Sequence, residues 1–186
     1  VTEEFELANP DRVTIGTVGA VGERVFLLQV REGLTLKTLK VEKAQVSALA
    51  RFLGRMLVEL ERPGELPSGD VLALESFDEP DFVVRSLGVS YDDDLDRIIL
   101  VADEIDRTEA ETAVEALFGL ADESEPEADT GESVRLAMTR EQAAALAIRG
   151  TELVEAGRPP CPLCGYPLDP RGHVCPRTNG HRPPLT

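Results

Sequence analysis

Two segments 97 positions apart carry the same pattern, and this constrains the fold more than any other feature. LKVEKAQVSALA (residues 39–50) and LAMTREQAAALA (residues 136–147) each read as a strand end, a charged turn, a glutamine and an Ala-Leu-Ala helix start. Gln45 matches Gln142, and Leu49 matches Leu146. Upstream of each lies an Arg-led apolar strand, ERVFLLQV and DRIILVAD. The first half, DRVTIGTVGAVGERVFLLQVREGLTLKTLKV, reads as three strands, because Val, Ile, Thr and Phe dominate and glycine turns punctuate it. From Glu42 the apolar period changes to three and four, through Val46, Leu49, Leu53, Met56, Leu57 and Leu60, which is one face of a helix. Pro63 and Gly64 stop it.

The second half repeats the order. PDFVVRSLGVSYDDDLDRIILVADE gives two strands with DDD at the hairpin tip, SVRLAMT a sixth, and TREQAAALAIRGTELVEAG a helix capped by Thr139 and stopped at Gly157. The expected fold class is therefore α+β: an antiparallel sheet of about six strands from two tandem βββα units, with both helices on one face. One unit alone leaves its sheet face and helix stripe wet, and a pair buries them together. The body spans residues 1–156, with units at 11–62 and 80–156. An acidic insertion at 105–132 includes a short helix at Glu109 to Phe118 and a mobile stretch, ADESEPEADTGE.

The tail, residues 157–186, is a different kind of sequence. CPLCGYPLDPRGHVCPRTNGH holds all three cysteines and both histidines of the chain. Three is an odd number for a disulfide framework, so the set points to metal or redox chemistry. Cys161 and Cys164 stand as CxxC, and Gly165 is free to take the positive φ that such a turn needs. Cys175 supplies a third thiolate, and His173 or His181 the fourth ligand. His173 sits two residues before Cys175. His181 lies six beyond it, after the Asn179-Gly180 turn. The spacing favours His173. Zinc accepts such a Cys3His set in a closed tetrahedral site. The tail has almost no apolar content for a core of its own, so the metal is what orders it as a small ribbon or knuckle. Four protein ligands leave no open position for water and no general base is adjacent, so the zinc is read as structural.

Charge narrows the partners. The net charge is −16. Residues 103–132 hold twelve acids and one base, whereas Arg158, Arg171, Arg177 and Arg182 stand against Asp169 alone in the tail. A field this negative repels a polyanion, so nucleic acid is an unfavoured partner, reachable only through the tail arginines and Tyr166. No run of eighteen apolar residues predicts a membrane span. VTEEFELANPD lacks the basic start and apolar run of a secretory signal, so the expected location is cytoplasmic.

The remaining candidates read as structure. GTVGAVGE precedes an apolar strand instead of a helix N-terminus, so it is a hairpin turn and not a phosphate loop. YDDDLD lacks the glycine and terminal glutamate of a calcium loop. Gln29 and Arg31 interrupt an apolar strand. They either line a pocket with Arg12 and Glu42, or, as the better reading, face solvent or pair across the sheet. No GxSxG is present, and both histidines lie in the tail, so no Ser-His-Asp triad is available in the body.

The tail AGRPPCPLCGYPLDPRGHVCPRTNGH and the head PDRVTIGTVGAVGERVFLLQVREG resemble the actinobacterial family called domain of unknown function 3090. The resemblance brackets nearly the whole chain. It implies the same CPLCG…HxCPR ending, often with Tyr where His181 stands, and thereby His173 as the fourth ligand. It implies no activity. The functional expectation is a cytoplasmic, non-catalytic zinc-binding module that contacts another protein. Nucleic-acid binding through the tail, or a small-molecule enzyme with a pocket on the sheet, are the alternatives.

Overall fold

In the computed structural model the described residues are 3–20, 22–60, 72–77, 79–104, 131–157, 160–165, 168 and 175–178. The acidic segment's expected helix at 109–118, its mobile stretch as far as residue 130, and Tyr166, His173, His181, Arg158, Arg171 and Arg182 lie outside them, whereas Glu132, placed in the insertion by the sequence reading, is the first residue of a strand.

Among the described residues seven strands and two α-helices follow in order: β1 (Glu3–Leu7), β2 (Arg12–Val18), β3 (Val25–Glu32), β4 (Thr35–Val41), α1 (Lys43–Glu59), β5 (Phe82–Asp92), β6 (Arg97–Glu104), β7 (Glu132–Met138) and α2 (Arg140–Glu155). The α+β class agrees with the sequence reading. The sheet does not fully match: it has seven strands instead of about six, and it is mixed instead of antiparallel, in the order β1-β7-β6-β5-β4-β3-β2. Two pairings are parallel, β4 with β5 and β1 with β7. The first follows from connectivity. A helix that leaves one strand and returns the chain to the neighbouring position delivers the next strand in the same direction. The second comes from EEFEL, whose three acids in five residues hide a strand.

The sheet curls on itself. Seven strands laid flat would separate the outer pair by about 29 Å at the usual ~4.8 Å spacing. Yet β1 and β2 are joined by residues 8–11 alone, a link that spans at most about 18 Å. Side chains meet across the curl. Lys37 on β4 lies 3.6 Å from the ring centre of Phe5 on β1 and 3.8 Å from Glu132 on β7. The core confirms one enclosed volume: Leu7, Ile15, Leu28, Leu39, Val84, Leu100 and Leu136, one from each strand, share a buried cluster with Val46 and Leu53 of α1 and Leu146 of α2.

The helices cross closely. A Cβ on Gly150 would lie 3.3 Å from the Ala50 Cβ, so a larger residue there pushes α1 and α2 apart. The two matched glutamines do the same work. Each is the third residue of its helix. Gln45 accepts from the Glu42 N–H and donates to the Val84 and Arg85 carbonyls. Gln142 accepts from the Thr139 N–H and donates to the Pro10 carbonyl. One side chain thus satisfies an orphan donor at the helix start and fastens it to a distant segment, β5 for Gln45 and the β1–β2 link for Gln142. Thr139 Oγ1 accepts from the Gln142 N–H at 3.2 Å. Thr139→Ala is expected to cost about 1 kcal/mol, read in a denaturant titration.

Candidate metal centre

The cysteine tail begins where α2 ends. Ala156 caps the helix, its carbonyl accepts from Arg24, and the chain reaches Cys161 five residues on. There it makes a tight turn. The Gly165 N–H donates to the Cys161 carbonyl at 2.8 Å, and Gly165 sits at φ +75°. That conformation is the one glycine adopts without strain. The turn brings Cys161 and Cys164 to one side. Cys175, just before a short 3-10 turn (Pro176–Thr178), joins them.

The three sulfur atoms all lie within 4.8 Å of one another. Cys161 Sγ and Cys175 Sγ are 4.0 Å apart. That is twice the ~2.05 Å of a disulfide. It is close to the ~3.8 Å edge of a tetrahedron built on Zn–S bonds of ~2.3 Å. Cys161 and Cys175 are buried and Cys164 is partly exposed, so the cluster has a protected side and one open toward solvent. Three soft donors converging at this spacing can hold a metal ion such as zinc. Among the described residues no other group of three Cys, His, Asp or Glu side chains does so.

The remaining candidates have structural roles. Gly19 and Gly22 both take φ +100° in the β2–β3 hairpin, where the Glu23 N–H donates to Ala20. In YDDDLD, Asp92 accepts from the Asp94 and Leu95 N–H groups, which closes the turn. Asp96 accepts from Tyr91 and from Arg140 at the start of α2.

Of the two readings of Gln29 and Arg31, pairing across the sheet is the one that holds: Gln29 bonds Thr38, its partner on β4, instead of lining a pocket with Arg12 and Glu42. Glu42 is the N-cap of α1. Arg12 and Arg31 stand opposite each other on β2 and β3, and the acid between them is Glu75. Arg31 Nε lies 2.8 and 2.9 Å from the two Glu75 oxygens, and Arg12 Nη1 lies 3.1 Å away. Gln29 is buried. Its amide donates to Thr38 Oγ1 and the Glu75 carbonyl, and its oxygen accepts from the Glu75 N–H. Thr14 donates to the Leu72 carbonyl, and Leu74 lies over Gly16, where a Cβ would come within 2.4 Å of it. Residues 72–77 are thereby strapped across the outer face of β2 and β3. The hydrogen bond from Arg31, and then the charges of Arg31 and Arg12, hold the Glu75 carboxyl below its ordinary range against the opposing effect of burial. The folded state therefore binds fewer protons there than the unfolded chain. This contribution is complete above the ordinary carboxylate value and is lost as pH falls through the lowered one. From about pH 5 to about pH 3, the native protein is expected to lose stability more steeply than Glu75→Gln, measured by denaturation at each pH.

A family model described as "Protein of unknown function (DUF3090)" matches residues 5–175. No curated protein and no solved structure matches the chain.

Proposed function

The chain belongs to the family of domain of unknown function 3090, and from that premise we propose that it is a non-catalytic zinc protein whose metal-ordered tail docks on another protein. The observation that carries the reading is the convergence of Cys161, Cys164 and Cys175 within 4.8 Å. His173 is the fourth ligand. The family match ends at Cys175, so it spans the three cysteines and His173 and stops short of His181. His173→Ala is expected to release most of the zinc and His181→Ala to retain it, by elemental analysis of the purified variants.

The zinc is structural, since three thiolates and an imidazole close its coordination. It orders a knuckle whose tip presents apolar surface: Leu163 is 47% exposed, beside exposed Pro162, and Arg177 is exposed after the last cysteine. An apolar tip with a cationic rim suits a protein contact. The body reads as two tandem units, residues 11–62 and 80–156, and serves as the rigid mount. Among the described residues no helix is long and apolar enough to cross a membrane; the cytoplasm is the compartment we propose.

The test is affinity capture from native cytoplasm with wild-type and Cys164→Ser baits, each with and without nuclease. A protein retained by the wild type, lost with Cys164→Ser and indifferent to nuclease supports the reading. Identical captures from both baits contradict it, and a capture abolished by nuclease transfers the tail to nucleic acid.

A further inference from the structure

A second site lies on the body, in the cleft between α1 and β5. The two helices are not mounted alike. α2 packs along β2, and no comparable packing joins α1 to β5. The gap is a cavity of about 410 Å3. That volume falls in the usual range of small-molecule sites, roughly 300–1,000 Å3. Phe52, Leu87 and Val89 line it with apolar surface. Leu87 and Val89 rest on the core at their inner side, and Phe52 is 42% exposed.

The charged residues in the described lining are all of one sign. Arg51 and Arg55 come from α1 and Arg85 from β5, with no carboxylate among the described lining residues. Acids outnumber bases 35 to 19 in the whole chain, so a described lining with three bases departs from its average. Arg51 and Arg55 are four residues apart on one helix face, an arrangement that costs a few tenths of a kcal/mol by repulsion. At the offset of 97, the other helix carries Ile148 and Glu152 instead. The cationic pair is thus particular to α1, the helix that lines this cleft.

We propose that this cleft binds a small organic anion with an apolar body: a medium-chain or aromatic carboxylate, sulfonate or phosphate ester. The apolar part lies on Phe52, Leu87 and Val89. The acid group meets the guanidinium groups of Arg51 and Arg55, whose planar donors match two oxygens at once.

Decanoate is the probe, titrated calorimetrically into the full chain, with 1-decanol as the uncharged control. Saturable binding of one decanoate per chain is expected, at least tenfold tighter than 1-decanol. Arg51→Gln/Arg55→Gln is expected to weaken decanoate at least tenfold while leaving the far-ultraviolet spectrum unchanged. Arg149→Gln, on α2, should change it less than twofold. Leu87→Gln, which keeps both arginines, should also weaken it. Equal binding of acid and alcohol overturns the proposal, as does equal loss in the Arg149 control. Binding only to vesicles of anionic lipid, or only to an oligonucleotide, overturns it in favour of a surface for those polyanions.

Discussion

Cys164→Ser is expected to reduce bound zinc from about one ion per chain to near zero, because one of four ligands is gone and a hydroxyl does not replace a thiolate for this metal. Cys161→Ser should do the same. The consequence is local. The tail has few apolar residues to hold it together, so its order and its metal are a single equilibrium. Limited proteolysis should cut the variant beyond Gly157 and leave a stable body. The body's far-ultraviolet spectrum should persist, since its core is made by β1–β7, α1 and α2 without the cysteines. Zinc retained at full stoichiometry in both variants would mean that the metal sits elsewhere.

Gln29→Ala carries the largest expected loss in the body, about 3 kcal/mol. Gln29 is 1% exposed and makes three hydrogen bonds. Truncation leaves a cavity in β3, and it leaves the Glu75 N–H and carbonyl and the Thr38 hydroxyl without their partner. An unmade bond in a buried place costs the desolvation of each group, which is why a polar residue here matters more than most apolar ones. Residues 72–77 should loosen with it, and the Glu75 amide should exchange hydrogen faster. A loss under about 1 kcal/mol would show that the strap is held by Arg12, Arg31 and Thr14 instead.

What was legible in the sequence was local. α1 and α2 declare themselves by apolar spacing and by Gln45 and Gln142, which sit within one turn of the groups they cap. The hairpins β2–β3, β3–β4 and β5–β6 join neighbours through short turns. The cysteine turn is legible for the same reason, since CxxCG closes on itself through Gly165. Distant pairings were not. β1 carries three acids in five residues, and its partner β7 starts 129 residues later. Glu75 stands 44 residues from Arg31 and 63 from Arg12, so nothing near either arginine names its partner. Reading β4 and β5 as antiparallel overlooked that a helix lies between them.

X-ray absorption at the zinc edge of the purified protein tests the central claim most directly. The account predicts three sulfur neighbours at about 2.3 Å and one nitrogen at about 2.0–2.1 Å. A shell of oxygen and nitrogen alone, or protein purified under reducing conditions that takes up no zinc, would contradict it.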